Sequence, residues 1–172
     1  LVDGMDAVVH VAGRISALTR AEFFETNEAG TRRLAQAAAA AKVDRFVHIS
    51  SLSARRPELS AYGASKAAGE AALAAHGGSM RSLVIRPPAV YGPGDTATLP
   101  LVGIVEVDDG RAGGYGWHDL VEAAGEMQGR RLKAYFLPKS LCMAIAGAVE
   151  MTAMLRGKPG MMSRDKIREL YA

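Results

Sequence analysis

The sequence predicts an α/β protein built on a parallel, doubly wound sheet. Three observations carry that reading. Apolar runs of strand length recur at Asp6–Gly13, Asp44–Ser51 and Arg81–Arg86. Long Ala-rich segments of helical length lie between them. Small residues (Ala12-Gly13 and Ser50-Ser51) close the first two runs, at the carboxyl ends where open α/β sheets bind ligands.

The first run, DAVVHVAG, holds the β-branched residues Val8, Val9 and Val11, which suit a buried parallel strand. Its Ala12-Gly13 ending leaves no bulky side chain, so a ligand can approach the backbone closely. Taken alone, a plain buried strand with a glycine turn explains this run better. Thr19 to Val43 reads as a long helix. Thr19 with Glu22 three residues later fits a capping box, and Phe23, Phe24, Leu34 and Ala37–Ala41 supply a packing face. Asn27 and Gly30 are poor helix formers, so something other than propensity keeps them there. The helix between the first two runs is a right-handed crossover by default.

The stretch from Arg45 to Leu73 organises the chain. Phe46-Val47-His48-Ile49 ends in Ser50-Ser51, a loop with Arg55, Arg56 and Pro57 follows, and Tyr62-Gly63-Ala64-Ser65-Lys66 opens the next helix. Tyr62 and Lys66 are four apart, so they share one helix face. With Ser51 at the strand end, the three converge on one point. A tyrosine is a poor base at its usual pKa of about 10, and a nearby ammonium lowers that value. Lys66 is placed to do so, Ser51 to hold a substrate oxygen, and Tyr62 to pass a proton. Gly77-Gly78 breaks the helix. RSLVIR is the third strand, followed by the loop Pro87–Asp95, rigid at its start and tightly turned at its end.

Tyr-x-x-x-Lys after Ser-Ser, Thr26-Asn27-x-x-Gly30-Thr31 in the first helix, and Arg86-Pro87-Pro88-x-Val90-Tyr91-Gly92-Pro93-Gly94-Asp95 together resemble the short-chain dehydrogenase/reductase superfamily. Within it the chain is similar to the extended or atypical branch, the NAD-dependent epimerase/dehydratase proteins. The resemblance implies a Rossmann-like domain with a small, mostly helical substrate region. It implies catalytic roles for Ser51, Tyr62, Lys66 and Asn27. It implies a dinucleotide, NAD or NADP, held by Ala12, Gly13, Ser50, Tyr62, Lys66, Pro87, Pro88 and Val90. The likeness runs from Asp6 to about Asp95 and resumes from Val105. There Gly113–Leu120 opens a helix to Met127, Leu132–Leu137 reads as a short strand, Pro138–Leu155 as an apolar helix, and Ser163 as the cap of a last helix.

The expected division is a partial dinucleotide-binding domain over 1–98 and a substrate-binding region over 99–172. No G-x-G-x-x-G-type turn precedes Leu1–Met5, so the fingerprint half is expected to be missing, with strands absent before Leu1 and a discontinuity within 96–105. The segment that selects NAD or NADP belongs to that half.

Composition bounds the function. The 172 residues are 49% hydrophobic and 23% charged, ordinary for a globular protein. A net charge of +3 without a dense basic run gives no case for nucleic acid. The single Cys142 forms no internal disulfide, which fits a reducing, cytoplasmic setting. The four histidines lack metal-ligand spacing, so no metal is expected, and no G-x-S-x-G elbow marks a hydrolase. Leu141–Leu155 is too short for the ~20 residues of a membrane span; a buried helix is expected, a membrane-surface one being the other option. Three functions fit. The first is NAD(P)-dependent oxidoreduction, epimerisation or dehydration at a hydroxyl or carbonyl carbon of a nucleotide sugar or similar small molecule. The second is a non-catalytic dinucleotide-binding scaffold subunit. The third is a hydroxysteroid- or lipid-type dehydrogenase, suggested by the Met-rich C-terminal region. A homodimer is the assembly to test.

Overall fold

The computed structural model describes residues 2–88, 137–160 and 162–171. Three strands form a parallel sheet in the order β1 (Ala7–His10), β2 (Arg45–Ile49), β3 (Arg81–Ile85). Each expected run supplies one strand. The register aligns Val8 with Phe46 and Ser82, and His10 with His48 and Val84, so these residues share one face. Over β1 and β2 that face is the more buried one, while Ser82 and Val84 of β3 stay exposed. Phe46 and His48 are fully covered there, beneath the helices α2 (Gly30–Ala40) and α3 (Ala61–His76). Ala35 and Ala38 of α2 and Leu73 of α3 close the core with Val2, Val43 and Phe46. Burying Phe46 and Leu73 stabilises the fold by roughly 1.5–3 kcal/mol each. Across the sheet from α2 and α3, Val9, Leu83 and Ile85 are 63%, 56% and 42% exposed.

The expected helix from Thr19 onward forms, but not as one regular rod. α1 (Arg20–Phe24) passes into a π turn (Glu25–Ala29) and then into α2. Thr19 caps the start, its Oγ1 accepting from Glu22 N at 3.3 Å. At the far end Lys42 sits in the left-handed region at φ 58°, and Val43 N donates to Ala38 O at 3.0 Å. This is the wrap a glycine usually makes.

Ser51 caps a short 3₁₀ turn (Leu52–Arg55) after β2, and Ser60 caps α3 by accepting from Gly63 N at 2.9 Å. Gly77 ends α3, with Gly78 at φ +58° as the glycine pair implies. Beyond Pro138, α4 (Lys139–Arg156) and α5 (Arg164–Leu170) follow, the latter capped by Ser163 as expected. Glu150 of α4 accepts from Arg164 Nε at 2.7 Å and from Arg164 N at 2.8 Å, fixing the pair. Both helices belong to the same compact unit as the sheet. No described helix is long and apolar enough to cross a membrane. The domain boundary at 98, the discontinuity within 96–105, the helix opening at Gly113 and the strand over 132–137 lie outside the described residues, apart from Leu137.

Candidate active site

The carboxyl end of β2, the π turn and the first half of α3 supply four of the expected residues. Tyr62 stands in the first turn of α3, half-buried, with its ring 6.1 Å from that of Phe23. Ser51 Oγ accepts from Ser53 N at 3.2 Å, and the Ser51 hydroxyl acts on the Tyr62 phenol to lower its pKa. Lys66 is buried and its Nζ donates to the Ile49 carbonyl at 2.8 Å, tying α3 to the end of β2.

Asn27 lies in the π turn and is only 1% exposed. Its side-chain oxygen accepts from Arg14 N at 2.7 Å; its nitrogen donates to Arg14 O at 3.0 Å and to Ser65 Oγ at 2.9 Å. Ser65 in turn donates to the Tyr62 carbonyl at 2.7 Å. A helical position that propensity disfavours is therefore held by three contacts to other segments. The π geometry, frequent at functional sites, aims the Asn27 carbonyl at α3. A Cβ on Gly69 would fall 2.5 Å from that oxygen.

The electrostatics differ from the sequence expectation. The Tyr62 phenol is raised rather than lowered, and the Lys66 ammonium donates to the Ile49 carbonyl. Burial pushes the phenol above its ordinary range, the neighbouring Ser51 hydroxyl pulls it down, and the charge of Glu169 raises it. The result favours the protonated tyrosine. Lys66 is itself lowered by burial, against the pull of Glu70.

The remaining expected residues frame this point. Ala12 and Gly13 are exposed at the end of β1. A Cβ on Gly13 would meet Asn27 Oδ1 at 3.4 Å and Lys66 Nζ at 3.6 Å, so glycine leaves the approach to both free of a side chain. Lysine has three donors and one is used on Ile49, so this end fits a hydroxyl-bearing group such as the ribose of a dinucleotide. Ser50 is turned away: its hydroxyl donates to Glu70, which also accepts from Arg86 Nε at 2.9 Å. Pro87 O accepts from Leu52 N at 2.9 Å, and Pro88 is exposed next to it. Val90 lies outside the described residues.

Tyr62 also lines a cleft of about 530 Å³. Ile15, Leu18, Phe23, Met154 and Met162 give it apolar walls, and Arg20 and Arg168 are among the charged residues that line it. The sequence reading did not single out Phe23 or Glu169 as site residues, nor the cleft. Beneath the site His10 and His48 stack at 5.2 Å between ring centres. His10 Nε2 is 3.0 Å from Thr31 Oγ1, while neither His48 nitrogen has a hydrogen-bond partner among the described residues. Burial, then Lys66 and His10, push His48 down to about 4 despite Glu70, so it is neutral at pH 7. No cluster of His, Cys, Asp and Glu suited to a metal occurs among the described residues.

A model of the NAD dependent epimerase/dehydratase family matches residues 1–103. The chain belongs to that family. The family's cofactor is NAD. The chain is 34% identical over 209 residues to a "Ceramide reductase" of Caulobacter vibrioides, covering 99% of this chain and 65% of the relative. It is 36% identical over 115 residues to a "4-hydroxy-2-methyl-3-oxo-4-farnesyl-3,4-dihydroquinoline-1-oxide ketoreductase" of Stigmatella aurantiaca, covering 56% of this chain and 34% of the relative. The chain thus spans less than two thirds of these curated relatives. The first aligned span exceeds the 172 residues here, so that relative carries residues within the match that this chain lacks. Among solved structures, a short-chain dehydrogenase/reductase superfamily protein from Agrobacterium tumefaciens with bound NAD is 32% identical, with a TM-score of 0.45 over 48% of this chain and 31% of the other.

Proposed function

We propose that the intact protein is an NAD(P)-dependent oxidoreductase that interconverts a carbonyl and a hydroxyl, with Tyr62 as the proton donor. The observation that carries this reading is the half-buried Tyr62 in the first turn of α3, after the Ser51 strand end and lining a cleft. No side chain supplies a hydride; the family's cofactor does. Ser51 donates to the carbonyl oxygen and fixes its position. Tyr62 gives its proton to that oxygen as negative charge develops, the role of a general acid. Lys66 uses its spare donors on the ribose and keeps α3 against β2. Asn27 is a positioning residue, holding the first turns of α3 through Ser65.

For the substrate, an apolar-tailed carbonyl compound fits better than a nucleotide sugar. The walls from Ile15, Leu18, Phe23, Met154 and Met162 favour it. So do the curated relatives, whose names specify a ceramide and a farnesyl-bearing ketone. The test is titration of the intact protein with NADH and NADPH, then turnover on a panel holding a long-chain ketone, a short ketone and a UDP-sugar. Reduction of the long-chain ketone at higher kcat/KM than the others is expected. Turnover of the UDP-sugar alone would overturn the substrate class. Cofactor binding with no turnover on any compound would mark a scaffold subunit instead.

A further inference from the structure

One carboxylate late in the chain joins the two pieces that carry Ser51 and Tyr62. On α5, Asp165 and Glu169 are four apart and share a helix face. Asp165 Oδ2 accepts from Ala61 N at 3.0 Å, one of the amides that the start of a helix leaves without an intrahelical partner. Glu169 Oε1 accepts from the hydroxyl of Ser60, the cap of α3. Its other oxygen, Oε2, accepts from the Ser53 hydroxyl at 3.3 Å. Ser53 in turn donates its N–H to Ser51 Oγ. Its carbonyl lies where a Cβ on Gly63 would come within 2.7 Å, so the turn and the helix already touch at this point. Glu169 therefore grips the helix start on one side of Tyr62 and the turn after Ser51 on the other.

We propose that Glu169 is a positioning residue that sets the Ser51–Tyr62 geometry by bridging Ser60 and Ser53. The inference rests on the reading of Tyr62 as the proton donor. It assigns a role to a residue that no motif marks and that acts through its two serine partners. The charged groups that line the cleft with Tyr62 are Arg20 on α1, Glu150 on α4, and Arg164, Asp165, Lys166, Arg168 and Glu169 on α5, and Lys66 lies one turn on along α3. Of these, Glu169 is the charge that acts on the phenol, and its sign keeps the proton on. Removing that charge lowers the phenol pKa. The protonated form needed for carbonyl reduction is then lost at a lower pH.

The experiment compares Glu169→Ala, Glu169→Gln and Ser53→Ala in the full-length protein, with Tyr62→Phe in parallel. Folding is checked by circular dichroism and cofactor affinity. Glu169→Ala is expected to lower kcat by about 10-fold or more, the scale of a misplaced reacting group. Glu169→Gln keeps an acceptor, so it retains more of kcat, but the alkaline limb of its pH profile moves to lower pH. The tyrosinate absorbance that disappears on adding Tyr62→Phe shifts the same way, independent of turnover. Ser53→Ala cuts one arm and lowers kcat with KM unchanged, which keeps the test open where Glu169→Ala does not fold. Wild-type kcat and pH profile in Glu169→Gln and Ser53→Ala, with Tyr62→Phe inactive, would overturn the role of Glu169 alone. An active Tyr62→Phe would overturn the proton-donor reading, and this inference with it.

Discussion

Lys66 keeps an ammonium in a buried place, at a desolvation cost visible in its lowered pKa. The bond to Ile49 O is one use of that charge; the proposed contact to the cofactor ribose would be the other. Lys66→Met removes both. The dissociation constant for NADH is expected to rise by about 10-fold, the scale of one hydrogen bond to a charged group, while turnover also falls. Fluorescence titration beside steady-state kinetics checks this. Unchanged affinity in the folded variant would leave Lys66 only the anchoring of α3 to β2. If Ser51 holds the substrate oxygen as proposed, Ser51→Ala loses one hydrogen bond, and kcat is expected to fall by about 10-fold or less, a milder change measured in the same assay. At this scale the sequence was legible where chemistry follows spacing. Ser51, Tyr62 and Lys66 declare themselves by a strand end and an i,i+4 pair. Glu169 does not: it reaches Ser60 from 109 positions away, and no local period encodes such a contact. The direction of the Lys66 side chain was equally hidden, because the Ile49 carbonyl that attracts it becomes available only once α3 lies on β2.

Among the elements, the π turn and α3 meet through glycine. In an Ala-rich helix each glycine costs about 1 kcal/mol relative to alanine, so Gly63 and Gly69 mark close approach, a signal readable in the sequence. Gly69→Ala would put a Cβ 2.5 Å from the Asn27 carbonyl. Overpacking of this kind is expected to destabilise by about 1–3 kcal/mol, measured by urea unfolding, and to lower turnover by shifting Asn27 and α3 apart. Unchanged stability would mean that the π turn yields freely. The C-terminus of α2 offers the opposite change. Lys42 holds φ 58°, a conformation that costs a side-chain-bearing residue roughly 1–2 kcal/mol. Lys42→Gly is therefore expected to raise stability by about 0.5–1 kcal/mol after the entropy glycine loses on folding. The helix itself was legible from Thr19 onward. Its π turn was not, because the extra residue is absorbed to satisfy Asn27 through Arg14 and Ser65, which the helix's own sequence does not contain.

Across the molecule, strand runs with two Ala-rich helices on one sheet face made the α/β class readable. The burial of polar groups on that face was less so, since a strand histidine reads the same whether solvated or covered. His48 is fully buried and pushed down to about 4 from the ordinary 6.5, by burial first. Its folded pKa lies below its unfolded one, so the unfolded chain takes up the proton first as pH falls. The stabilisation is complete above pH ~6.5 and is lost between there and pH ~4, by roughly 2–4 kcal/mol. His10 shifts in the same direction. Urea midpoints at pH 7 and pH 5 read this loss, which His48→Phe should reduce; an unaltered slope in that variant would assign it to other groups. The central claim joins these scales: the sheet end, the π turn and α3 exist in this arrangement to set one tyrosine hydroxyl beside a carbonyl. The most direct measurement is the rate of NADH oxidation with a long-chain ketone by full-length Tyr62→Phe and by the unaltered protein. Loss of one hydroxyl is expected to leave the fold in place, and the account predicts a fall of ~10²-fold or more in kcat at saturating NADH, the scale of general acid catalysis. Wild-type turnover in a folded, cofactor-binding Tyr62→Phe would contradict it.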